Sequence, residues 1–133
     1  TAVGDRQVYV CDVLEFVSEH RLFLSPGRVW GVAEYSEYMI GHRLQNAKDS
    51  SEPLVVEDAA VPPPFVDEVL RCAADLGFVV VDVGLTRQGE WCVVEANPPF
   101  ALSSYDLDIG VYVEYCAAAW QHIVASLEGD RTA

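Results

Sequence analysis

Basic residues are scarce in this chain. Eight Lys and Arg stand against 21 Asp and Glu, Lys48 is the only lysine, and the formal charge is −13. That balance argues against a nucleic-acid partner, because binding a phosphate backbone leaves a basic footprint. Long apolar runs are missing too. None approaches the ~18 residues that a membrane-spanning helix needs. No cationic, apolar leader opens the sequence, so a cytoplasmic protein with no membrane partner is expected. The four cysteines, Cys11, Cys72, Cys92 and Cys116, form no C-x-x-C pair and sit in apolar runs. They read as structural thiols in a reducing compartment rather than as a disulfide framework. A phosphate-cradling G-x-x-x-x-G-K is also absent, and there is no internal repeat.

What the chain does have is apolar content, 51% over 133 residues. That is enough for one domain, residues 1–133, with its own core and little disorder. Residues 8–18 and 20–24 read as strands. The turn Ser25-Pro26-Gly27 and a strand over Arg28–Tyr35 follow, since Pro presets φ and Gly accepts the left-handed region. From Ser36 to Val61 the pattern weakens into a polar, acidic connection, either a functional loop or one that holds a short element. Pro62-Pro63-Pro64 opens a helix over about Phe65–Leu76. Asp67 and Glu68 fall in its first turn, Phe65, Val69, Ala73 and Leu76 form its apolar stripe, and Gly77 caps it. A second helix is expected over Asp108–Leu127, with Tyr112, Tyr115, Cys116, Ala119, Trp120, Ile123 and Leu127 at core spacing. Glu128–Ala133 reads as a frayed tail. The fold class is α+β, an antiparallel sheet of hairpins covered on one face by two helices, with the other face as the working surface.

Between the two helices lies the segment that carries chemistry. Gly77–Val81 and Trp91–Val94 are β-branched and aromatic runs separated by Arg87-Gln88-Gly89-Glu90, which predicts a β-hairpin. With Gln88 and Gly89 as the two central turn residues, Asp82 lies directly across from Glu95. Asn97 shares the face of Glu95, roughly 7 Å further along at ~3.3 Å per residue. Two carboxylates facing each other repel unless something positive lies between them. Mg²⁺ or Mn²⁺ would resolve the conflict, because both take oxygen ligands from one or two carboxylates together with phosphates. The alternative is a solvated acidic face. A three-residue loop would shift the register by one and turn Asp82 away from Glu95. Arg21 interrupts its strand with a charge. It suits a phosphoryl group in transfer, or a salt bridge to Glu19, Glu34 or another acid.

The ordered set formed by Glu19–Leu24 (EHRLFL), Gly27–Val32 (GRVWGV), Asp82–Asn97 with its D…E-x-N pattern, and Phe100–Tyr105 (FALSSY) resembles the C-terminal half of an ATP-grasp domain. The resemblance covers roughly residues 8–125 and looks closest to a divergent, phage-linked branch of predicted amide or peptide ligases. It implies that Asp82, Glu95 and Asn97 hold the Mg²⁺ (or Mn²⁺) bridging ATP phosphates. It also implies that Arg21 contacts a phosphate or an acyl-phosphate intermediate, with a carboxylate and an amine as substrates. The Asn97–Tyr105 loop, with Ser103 and Ser104, would line the acceptor side, and residues 11–14 would lie near the adenine. The family's other half, an N-terminal α+β unit with a phosphate-covering loop and a strand lysine, has no counterpart in the sequence. The expectation is that this partner half lies elsewhere in a longer protein. Lys48 is either a relocated cationic ligand or a solvated loop lysine. A non-catalytic α+β interaction module that keeps the scaffold is the competing expectation.

Overall fold

The computed structural model describes residues 14–35, 59–100 and 102–131. Lys48, Cys11, residues 8–13 of the strand expected over 8–18, and residues 36–58 of the polar connection lie outside the described residues, and the two strands expected over 8–18 and 20–24 meet in one strand from Phe16. Four strands, β1 (Phe16–Ser25), β2 (Arg28–Glu34), β3 (Val79–Thr86) and β4 (Trp91–Asn97), form one sheet in the order β2-β1-β3-β4 with every neighbour antiparallel. Two hairpins are thus joined through their first strands. β1 and β3 sit in the middle and are buried almost throughout. Burial on both faces is why Val79, Val80 and Val81 run apolar without alternation. At the β1–β2 turn, Gly27 adopts φ 69° behind Pro26, and Ser25 pairs with Arg28, as the turn chemistry predicts.

Helix α1 spans Pro63–Cys72, with prolines in its first turn, where a missing N–H costs nothing. It is shorter than expected and begins two residues earlier, which leaves Asp67 and Glu68 beyond the first turn. A 3-10 turn over Ala74–Leu76 follows and ends at Gly77, φ 72°. Val69 and Ala73 pack on Leu22, Leu24, Val79, Val81 and Val83, whereas Leu76 is exposed. Helix α2 spans Ile109–Arg131 and runs through much of the expected frayed tail. The Asp108 carboxylate accepts from the N–H groups of Gly110 and Val111 at 2.9 and 3.1 Å, an N-cap. Tyr115 packs on Phe23, Ala33 and Val80, and its hydroxyl donates to the Leu24 carbonyl at 3.3 Å.

The α+β class and the antiparallel sheet of hairpins are as the sequence predicts. The helices, however, divide between the faces. Side chains alternate along a strand, so the Leu22, Leu24, Val81 set under α1 and the Phe23, Val80 set under α2 point in opposite directions. The face expected to stay open therefore carries α2.

The β3–β4 hairpin is closed by three residues, Arg87, Gln88 and Gly89, rather than two. Thr86 N–H donates to the Glu90 carbonyl at 2.9 Å, Gly89 N–H donates to the Thr86 carbonyl at 2.9 Å, and Gly89 has φ 85°. A left-handed glycine in third place is the usual companion of this loop length. Near the turn the register is accordingly shifted by one, with Leu85 opposite Trp91 and Val83 opposite Val93. A bulge at Val94 then shifts it back. Asp82 ends opposite Glu95 after all.

Gly84 lies under the ring of Phe16, which a Cβ would strike. Gly84→Ala should cost about 1–3 kcal/mol through overpacking, read as a lower urea midpoint at unchanged m. A midpoint equal to wild type would mean that Phe16 moves aside freely.

Candidate functional site

Backbone pairing alone sets up a row across all four strands: Ala33 on β2, Arg21 on β1, Asp82 on β3 and Glu95 on β4. The next row on the same face is Gly31, Phe23, Val80 and Asn97. The four sequence-predicted residues thus share one face. They do not share one environment.

Arg21 and Asp82 are buried, at 5% and 2% exposure, and bound to each other. Nε donates to Oδ1 at 2.8 Å and Nη2 to Oδ2 at 2.7 Å. This two-point fork is the strongest form of carboxylate pairing. The partner of Arg21 is therefore Asp82, not Glu19 or Glu34. The hydrogen bonds that the guanidinium donates to Asp82 raise its pKa, against the lowering effect of burial. Nη1 donates to the Ser103 carbonyl at 3.1 Å. The guanidinium carbon also lies 4.7 Å from the ring centre of Tyr105 and 5.5 Å from that of Tyr35. These rings stack on each other at 4.7 Å and 15°. A cation against aromatic faces gains about 0.5–2 kcal/mol, more as water is removed.

Ser103 and Tyr105 belong to the segment between β4 and α2. Tyr105 adopts φ 49°, a left-handed conformation costly for a bulky residue. Its N–H donates to Ser103 Oγ at 3.3 Å, Leu107 N–H donates to the Ser104 carbonyl at 3.0 Å, and Tyr112 donates from its hydroxyl to the Leu102 carbonyl at 2.8 Å. The segment expected to line an acceptor site is thus folded onto the ion pair. Ser103 and Tyr105 are expected on the acceptor-side loop rather than against Arg21, and Tyr35 is not legible as a site group. Tyr35 closes the β2 run and Tyr105 follows a serine pair, and neither context signals a distant arginine.

Glu95 is exposed at the sheet edge, and Asn97 is half-buried with its amide Nδ2 sealed from solvent and without a hydrogen-bond partner. An unmet buried amide costs ~1–3 kcal/mol, so something is expected to bind there. As placed, Nδ2 is a donor that suits a phosphate oxygen, and a half-turn of the amide would offer Oδ1 to a cation instead. Among the described residues no three of His, Cys, Asp and Glu gather as a metal group. The Asp82, Glu95, Asn97 set offers two carboxylates and one amide, which suits a hard cation that draws its remaining oxygens from phosphate and water. Arg21 occupies one lone pair on each Asp82 oxygen and leaves the others.

Two outcomes follow. Arg21→Met leaves the Asp82 carboxylate buried alone and should cost about 3–5 kcal/mol in urea unfolding, with Arg21→Met/Asp82→Leu recovering most of it. A double variant no better than the single one would refute the isolated-charge explanation. Burial, then the nearby Asp82 and Glu19 carboxylates, raise Tyr35 far above an ordinary phenol, and burial raises Tyr115. Unfolded tyrosine ionises near pH ~10, so above that pH the unfolded chain binds fewer protons than the native one. Stability should hold below pH ~10 and fall above it, by up to ~1.4 kcal/mol per pH unit for each phenol. Tyr35→Phe should flatten that decline in pH-dependent urea melts, and an unchanged slope would exclude the phenol as its source.

No curated protein matches the chain. Residues 2–115 match a family described as an ATP-grasp domain, the second family of its clade, and that span takes in β1 to β4, α1 and the whole Arg21–Asp82–Glu95–Asn97 face. The chain belongs to the ATP-grasp domain family, a scaffold of the ATP-binding, ligase type.

Proposed function

We propose that the protein binds ATP with Mg²⁺ (or Mn²⁺) at the Asp82, Glu95 and Asn97 face and serves as the nucleotide-binding part of an ATP-dependent carboxylate–amine ligase. The observation that carries this is the partnerless buried amide of Asn97, set on the same face as two facing carboxylate positions. When bound, the cation would supply positive charge that offsets the charge developing on the phosphates. Asp82 and Glu95 would supply its protein oxygens. Arg21, held rigid by Asp82, Ser103 and the two tyrosines, would keep a positive charge fixed beside the phosphates, so little reorganisation is needed as charge develops.

The chemistry proposed is transfer in two steps. A substrate carboxylate oxygen bonds to the γ-phosphorus as the bond to the ADP oxygen breaks, giving an acyl phosphate. An amine then attacks the acyl carbon, phosphate leaves, and the amine proton passes to solvent or a base. The residue 102–107 segment, packed over Arg21, would help keep water from the acyl phosphate.

One observation favours a second reading, an interaction module without catalysis. The Arg21 guanidinium is already bound twice by Asp82 and once by Ser103, which is a complete structural role. Thermal unfolding separates the two. Mg²⁺ with ATP at ~100 times Kd should add about 2.7 kcal/mol by mass action, raising Tm by several degrees. Glu95→Gln should abolish that rise while leaving the ligand-free stability within about 0.5 kcal/mol of wild type, because Glu95 is exposed. No rise with Mg²⁺ and ATP would leave the module reading. A rise that survives in Glu95→Gln would overturn the ligand set.

A further inference from the structure

The two charges at the centre of the candidate site are covered. Arg21 is 5% exposed and Asp82 2%, so a phosphate or a cation arriving from solvent reaches neither. Whatever lies over the guanidinium must give way first. Of the groups against it, Asp82 belongs to β3, and Tyr35 directly follows β2 and is itself buried. The other two are the Ser103 carbonyl on Nη1 at 3.1 Å and the Tyr105 ring at 4.7 Å. Both come from the segment between β4 and α2.

That segment is fastened at its ends and strained in its middle. At one end the Tyr112 hydroxyl donates to the Leu102 carbonyl at 2.8 Å. At the other, the Leu107 side chain lies over Gly31, in the space that a Cβ there would take. Between these ends Ser103 and Asp106 are exposed, and no residue from 102 to 108 is buried. Segments with so little buried surface are the ones that open at low cost. Tyr105 adds a push, because its φ of 49° holds a bulky residue in a conformation that the surroundings must maintain. Opening returns that free energy.

We propose that residues 103–106 form a strap that lifts between its two fastened ends to admit a ligand to Arg21 and then closes over it. The fork to Asp82 stays in place throughout, so the cation waits in position while its cover moves. As an entry route for ATP phosphates the strap rests on the proposed nucleotide site. As a motion over Arg21 it stands on these contacts alone. The Tyr112 hydroxyl tunes the balance, since it fastens Leu102 without bonding to Arg21.

Phenylglyoxal, which adds to accessible guanidinium groups, tests this when labelled peptides of the whole chain are followed by mass spectrometry. Arg71, with its side chain 75% exposed, is the open reference, and Arg21 should label far more slowly. Tyr112→Phe should speed labelling of Arg21 by about two- to tenfold, the effect of one net hydrogen bond, and leave Arg71 unchanged. Tyr115→Phe removes a hydroxyl bond from the same helix to the Leu24 carbonyl and spares the strap, so Arg21 should label as in wild type. Arg21 labelled as fast as Arg71, a rate unmoved by Tyr112→Phe, or a rate raised equally by Tyr115→Phe, the mark of global unfolding, would each overturn the strap. Mg²⁺ with ATP should slow the labelling of Arg21. Labelling that answers to Tyr112→Phe but not to Mg²⁺ with ATP would uphold the strap and sink the nucleotide site instead.

Discussion

The fork between Arg21 and Asp82 is the constraint on which the rest of the molecule turns. Two opposite charges have been taken out of water between the central strands, and neither is tolerable there without the other. Their desolvation is expensive, and the two short hydrogen bonds offset it only when β1 and β3 meet in one register. A slip by one residue would bury two unpaired charges at once. Purely apolar neighbours such as Leu22 and Val81 would tolerate such a slip far better. The pair therefore contributes uniqueness more than net stability, and it joins positions 61 residues apart in sequence. Through Nη1 it also reaches the residue 102–107 segment, so one guanidinium organises strand, turn and aromatic stack together.

The elements were largely legible because local chemistry dictates them. Pro26-Gly27 fixes one turn, the proline run at 62–64 fixes the start of α1, and Asp108 caps α2. Less legible was everything decided at long range. Arg21 reads as a charge interrupting a strand, and nothing nearby in sequence identifies Asp82 as its partner or Tyr35 and Tyr105 as its walls. The division of the helices between the faces was hidden for a related reason. β1 and β3 are apolar on both sides, so their pattern does not say which side remains open. Helix α2 misleads in the opposite sense, since its apolar residues beyond Ala119 have core spacing and no core.

Membership of the ATP-grasp family and the site geometry meet at one face. The sheet presents a neutralised Asp82, an exposed Glu95 and an Asn97 amide with nothing to bind. The graded exposure from β1 to β4 is itself informative. The paired charges lie in the centre, and the groups open to a ligand lie toward the edge. The proposed nucleotide site would use both kinds, and the sheet separates them by strand position.

The two irregularities of the β3–β4 hairpin have a consequence for what decides the face of the site. The extra loop residue at the tip and the extra residue at Val94 act like a frameshift and its suppressor, since in this sequence each undoes the displacement made by the other. Strand β4 therefore carries its reading frame across the error. With Thr86 and Glu90 closing the hairpin, an unbulged β4 would set Val94 across from Asp82 and turn Glu95 and Asn97 to the far side of the sheet. One bulged residue, rather than the turn before it, thus decides which side of the sheet its acidic edge shows.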